Sequence, residues 1–223
     1  MRLLDTHIAN SYNILCAEVA QTVEQRTENP RVPSSILGLG TYMEIRSNRM
    51  ASNEERIQRV RQEAIERDAI YPGCSQAVLG SIQDEFGMGN RESFKAVTAL
   101  SGGIARRGET CGAIIGALSA LGLVMGRERK EDTEAYQAIM EPCQEICDRF
   151  RQELKKQFGF EGELESTLCI DIQQKIYGKS FKLWTEEGLQ AFYDAGGHSK
   201  TSGCPVVCGI AAQLAAEKIL KLI

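Results

Sequence analysis

From residue 50 onward, apolar positions recur at helical spacing and are separated by short polar or glycine-rich breaks. Ser52-Asn53-Glu54-Glu55 is a capping box. After it, Ile57, Val60, Ala64 and Ile65 share one face of a helix that should end near Asp68. Tyr71-Pro72-Gly73 reads as a turn, and CSQAVLGSIQDEF as a second helix stopped by Gly87. Asn90 can cap a third, with Phe94, Val97 and Leu100 inward, ended by Gly102-Gly103. A charged link at residues 127–132 precedes a long helix from about Thr133 to Phe158. Its stripe is Tyr136, Ile139, Met140, Cys143, Ile146, Cys147, Phe150 and Leu154, and Pro142 should kink it. Ser166 or Thr167 can cap the short helix LCIDIQQKIYG, and Thr185 another over residues 188–194. Residues 195–203 read as a flexible loop. The last helix follows, with Cys204 as its cap and Pro205 at its first position.

No run alternates at period two. The expected fold is therefore all-α, a compact bundle of six or seven helices. Its centre is the stretch at residues 102–126, GGIARRGETCGAIIGALSALGLVMG. Nothing from Ala113 to Met125 is charged, and Gly112, Gly116, Ala117 and Ala120 recur three to five apart. A helix apolar on every side is a buried one. This one is also too short for a bilayer, which takes about 20 residues.

Composition narrows the function more than the fold. The chain has 223 residues, 43% of them hydrophobic, and a net charge of −4. An acidic chain lacks the basic face that nucleic acid requires. No segment has the layout of a signal peptide or a membrane span, so a cytoplasmic protein is expected. Eight cysteines are many for such a chain. A core of this size needs no disulfide staples, so metal binding or redox chemistry is the better explanation.

Cys74, Cys111, Cys169 and Cys204 each fall at, or in the first turn of, an expected helix. Helix starts carry free amide donors and the positive end of the helix dipole, which favour a thiolate. Four thiolates aimed at one point suit an iron–sulfur cluster or a zinc ion. No C-x₂-C pair, ferredoxin run or C-x-x-C-H haem motif is present. Cys143/Cys147 and Cys204/Cys208 are i,i+4 pairs, and for Cys143, Cys147 and Cys208 core packing is the expected role.

CGAIIG at residues 111–116, GCSQAV at residues 73–78, FGF…C ending at Cys169, and CPVVCGIAA from Cys204 resemble the C_GCAxxG_C_C family of small redox proteins. The resemblance implies that Cys74, Cys111, Cys169 and Cys204 are that family's four cysteines. A similar domain in split-Soret cytochromes is associated with an iron–sulfur site, which implies a cluster here by analogy.

Three functions are in competition. The first is an electron-transfer protein holding a cluster on the four cysteines and serving a redox partner protein. The second is a metal-free thiol–disulfide oxidoreductase in which a low-pKa Cys111 is the catalytic nucleophile. The third is a structural zinc module that presents a helical surface to a partner. Whether the chain is an oxidoreductase enzyme or a carrier stays open, and apolar surface near the Cys111 helix would suit a homodimer.

Other side chains take ordinary readings. His198 is read as a solvated loop residue, and Trp184 with Phe181 and Leu183 as satellite core. Arg106-Arg107 could lower the Cys111 pKa or simply lie in solvent.

Residues 1–49 look different. The stretch at 16–41, CAEVAQTVEQRTENPRVPSSILGLGT, resembles a conceptual translation across a transfer-RNA gene. Ser34-Ser35-Ile36 back-translates into a T-loop, Val19-Ala20-Gln21 into a D-arm and Thr27-Glu28-Asn29-Pro30 into an anticodon loop. Residues 1–49 are therefore expected to be a non-native or disordered extension, with accidental Cys16 and His7. The working domain is then 50–223, starting at Met50 or else at Met43.

Overall fold

The computed structural model describes residues 51–223. The expectations for residues 1–49, for Cys16 and His7 and for the start at Met50 or Met43 lie outside the described residues. Among the described residues there are eight α-helices and no strand. In chain order they are α1 (Asn53–Ile70), α2 (Cys74–Phe86), α3 (Arg91–Ala96), α4 (Gly112–Met125), α5 (Thr133–Phe158), α6 (Cys169–Tyr177), α7 (Glu186–Asp194) and α8 (Cys204–Ile219). The fold is all-α as expected. Eight is one helix more than the six or seven expected for the bundle.

Local chemistry accounts for most boundaries. The Ser52–Glu55 capping box closes in both directions, with bonds of 2.7 and 3.2 Å. Asn90 and Ser93 do the same for α3. Thr185 caps α7 by accepting the Gly188 amide at 3.0 Å. Gly87, Gly159 and Gly178 end α2, α5 and α6 in the left-handed conformation that glycine adopts without penalty.

Three local expectations are corrected. Gly203 is the cap of α8, which makes Cys204 its first residue. Leu168 precedes α6, while the Ser166 hydroxyl accepts the Leu168 amide at 3.0 Å and donates to Asp171. Trp184 is 44% exposed, under the guanidinium of Arg107 at 5.4 Å, so it is not core. The helix α5 is continuous through Pro142, which withholds one amide from its ladder.

The main core is built by α1, α2, α4 and α8, with α5 laid against α4 and α8. Small residues set how closely these helices approach. A methyl at Gly116 would lie 2.5 Å from the Ser75 carbonyl oxygen, and one at Gly209 would lie 2.7 Å from Ile65. α8 is buried on nearly every side, whereas the buried positions of α4 end at Leu121 and Leu123 is exposed; Phe150, Leu79 and Ile82 pack with Ile114 and Leu121 in the main core. Truncating a buried Phe such as Phe150 to Ala costs about 3–5 kcal/mol. A second, smaller core joins Phe181, Leu183 and Phe192, with Tyr177 edge-on to both phenylalanines at 5.6 and 5.8 Å.

Candidate functional site

Between the two cores lies a cavity of about 90 Å³ whose wall contains Cys74, Cys111, Cys169, Cys204 and Cys208. One water needs about 10–15 Å³ measured this way, so the space admits a small group or several waters. The four cysteines of the sequence pattern therefore come from four separate segments to one place.

Each has its own positioning device. Cys74 opens α2, and its sulfur lies against Gly112, with the Gly102 amide and the Ser101 hydroxyl directed at it. Cys111 is the cap residue of α4. The Ala113 and Ile114 amides point toward its sulfur, although no conventional cap hydrogen bond closes. A single antiparallel bridge, Thr110 with Leu168, fixes Cys111 beside Cys169. The Cys111 amide donates to the Thr167 carbonyl at 2.8 Å, and the Cys169 amide to the Glu109 carbonyl at 2.7 Å. Gln173, itself buried, donates to the Cys169 sulfur at 3.4 Å and accepts the Phe181 amide at 2.9 Å. The Cys204 amide donates to the Gly197 carbonyl at 2.8 Å, and the Tyr177 hydroxyl reaches its sulfur at 3.8 Å.

Helix starts do not lower these thiols as the sequence led us to expect. Burial pushes Cys111 up to about 11 even though the Ala113 and Ile114 amides pull the other way. Burial, then the neighbouring Cys111 and Asp68, push Cys74 up to about 12. Burial comes first for Cys169, Cys204 and Cys208 as well; the next cause is Cys111 for Cys169, Cys169 for Cys204 and Asp68 for Cys208. Desolvation of a lone thiolate outweighs partial charges at a helix end. Low-pKa Cys111 is thus corrected for the protein without a bound cation.

The loop before Cys111 is wound the unusual way. Gly102, Gly103, Ile104, Ala105 and Arg106 all have φ between 51° and 69°. Three of them carry side chains, each at about 1–2 kcal/mol of strain. The Ala105 amide donates back to Ala99 at 2.7 Å, and the Glu109 amide to Gly103 at 3.0 Å. This turn aims the Gly102 amide at Cys74 and brings Arg106 to the cavity wall, while Arg107 leaves for Trp184. Strain held at a cavity lined by reactive groups is a mark of a functional site.

Two further wall residues were missed or misread. Asp68 is 1% exposed and lines the cavity from α1. His198 is not solvated: its side chain is 18% exposed and lines the same cavity, with Nδ1 3.5 Å from Asp68 Oδ2. Neither atom has a hydrogen-bond partner. No local sequence signal links two residues 130 positions apart. Cys208 packs in the main core as expected, and its wholly buried thiol also lines the cavity one turn beyond Cys204 and approaches the Cys74 carbonyl at 3.9 Å. Cys143 and Cys147 lie half-buried on α5 against the main core and take no part in the cavity wall. Among the described residues, no three His, Cys, Asp or Glu side chains are grouped so as to hold a single metal ion.

Residues 73–218 match the family described as "Putative redox-active protein (C_GCAxxG_C_C)". The chain belongs to this family. The matched span runs from the residue before Cys74 into α8 and so takes in Cys74, Cys111, Cys169 and Cys204. No curated protein and no solved structure matches the chain. No helix among the described residues is long and apolar enough to cross a membrane.

Proposed function

We propose that this chain is an electron-transfer protein holding an iron–sulfur cluster on Cys74, Cys111, Cys169 and Cys204. The observation that carries the reading is the meeting of these thiols, from four helix starts, on the wall of one cavity. The donor set fits such a group. Thiolates are what iron–sulfur clusters take as ligands, and a bound cation removes the proton that burial otherwise retains. Hydrogen-bond donors already face several sulfurs: the Gly102, Ala113 and Ile114 amides, the Gln173 amide group and the Tyr177 hydroxyl. Such donors tune the potential of a sulfur-ligated centre. A bound cluster would supply a one-electron couple between a reduced and an oxidised partner protein.

The thiols ring a cavity and are not gathered on one point. A cavity of about 90 Å³ has room for a group larger than a single zinc ion, whose four ligands lie about 2.0–2.3 Å from one centre. A metal-free thiol–disulfide exchanger needs a thiolate near neutral pH, and a Cys111 pushed up to about 11 serves it poorly.

Anaerobic purification followed by iron and sulfide analysis, with visible and electron paramagnetic resonance spectra, tests the reading. The expected sample is brown, contains iron and sulfide together, and shows a signal on reduction. A colourless zinc protein, or a metal-free one with a reversible disulfide, overturns it.

A further inference from the structure

We infer that Asp68 and His198 form a positioning pair that sets the Cys74 segment and the Cys204 segment against each other. Asp68 lies in the last turn of α1, away from both cysteines in sequence, and is buried at the cavity wall. Its Oδ1 accepts the Gly73 amide at 3.1 Å, directly before Cys74. Its Oδ2 faces Nδ1 of His198 at 3.5 Å. The residue before His198, Gly197, supplies the carbonyl that holds the Cys204 amide at 2.8 Å. One carboxylate thus touches the start of α2 with one oxygen and the loop that starts α8 with the other.

The imidazole is itself held in place. Phe192 meets it edge-on at 5.3 Å, and Tyr193 lies tilted at the same distance. The tautomer protonated on Nδ1 donates to Oδ2, and a closure of about 0.5 Å brings that contact to normal hydrogen-bond length. Neither facing atom has another partner within the protein, and this contact would satisfy both at once. Lys200 pairs with Glu66 and ties the same loop to α1 from outside. That pair is exposed and screened, so it holds position weakly. The inference rests on the cluster reading for its purpose, although not for its geometry.

Amide hydrogen exchange on the full chain without metal tests the geometry. Asp68→Ala should quicken exchange about tenfold or more at Gly73 and also at Cys204, while leaving the amides of α5 unchanged. Unchanged exchange at Cys204 overturns the pair. Should Asp68→Ala fail to fold, His198→Ala replaces it. That variant should quicken Cys204 alone, and His198→Gln, whose amide can donate to Oδ2, should restore it. A His198→Ala protein that exchanges like wild type overturns the inference equally.

In the iron-loaded protein, both alanine variants should release iron to a chelator about tenfold faster. They should also alter the paramagnetic resonance line shape, which His198→Gln should return toward wild type. Iron-loaded variants indistinguishable from wild type overturn the positioning role alone. A wild type that takes up no iron overturns the cluster reading, and the exchange measurements still decide the pair.

Discussion

The Cys74 sulfur rests on the backbone of Gly112: a methyl on that glycine would stand 2.5 Å from Sγ and 2.7 Å from the Leu100 carbonyl oxygen. The start of α2 and the start of α4 therefore share a contact that only glycine permits. Gly112→Ala would gain about 1 kcal/mol of helix propensity. Overpacking costs about 1–3 kcal/mol, and the Leu100 carbonyl is backbone that cannot swing aside. The expected outcome is a lower melting temperature and loss of bound iron, since the Cys74 sulfur must leave its place. A Gly112→Ala protein that melts like wild type and retains its iron contradicts this.

Ile104 is the one β-branched residue in the left-handed run, with φ 52°, and it is 42% exposed. Replacing it with glycine relieves about 1–2 kcal/mol of strain and costs about 0.5–1 kcal/mol through the freer unfolded chain. Ile104→Gly is therefore expected to raise the urea midpoint slightly, the reverse of the usual sign. Gly103→Ala, at φ 69° with a methyl 2.6 Å from the Glu109 backbone, should lower it. Equilibrium unfolding of both variants checks the pair of signs.

How much of this was legible depended on whether the signal was local. The start of α2 at Cys74, the α4 span from Gly112 and the long α5 follow from caps, glycines and apolar spacing within one element. Four cysteines at matching helix starts were likewise visible, because each position is set by its own neighbours. Their convergence depends on packing, and that no stretch of chain records. The thiol acidities could not be read, since burial of the whole site overrode the charge at each helix end. His198 looked like a solvated loop residue because its partner, Asp68, belongs to another helix. The left-handed turn escaped notice because Ile104 and Ala105 give no warning of positive φ.

Cys143 and Cys147 sit on α5 outside the cavity wall, whereas Cys74, Cys111, Cys169 and Cys204 line it. Serine at Cys74, Cys111, Cys169 or Cys204 is expected to abolish or strongly deplete bound iron. Cys143→Ser and Cys147→Ser should keep wild-type iron content, with a stability change of about 1 kcal/mol or less because both sites are only half-buried. Iron analysis of the six single variants, each judged beside its circular dichroism spectrum, makes the comparison. Depletion in the Cys147→Ser protein equal to that in Cys111→Ser would break the assignment.

Glu85 supplies the clearest pH dependence away from the site. Its carboxylate joins Arg59 through bonds of 2.9 and 3.1 Å and Arg56 through one of 2.9 Å, tying α2 to α1. Burial raises its pKa, but the hydrogen bonds from Arg59 and then Arg56 outweigh that and hold it below the usual value. A carboxyl with a lowered folded pKa contributes stability that is complete above its unfolded pKa. That contribution drains away as pH falls through the folded value. At pH 7, Glu85→Gln should therefore cost about 1 kcal/mol, the range of a partly screened ion pair. Below about pH 4, the ordinary glutamate range, the wild-type and Glu85→Gln melting temperatures should draw together. Thermal melts of both proteins from pH 7 down to pH 3 follow this convergence, and a gap that stayed constant across the range would mean that the charge on Glu85 contributes nothing.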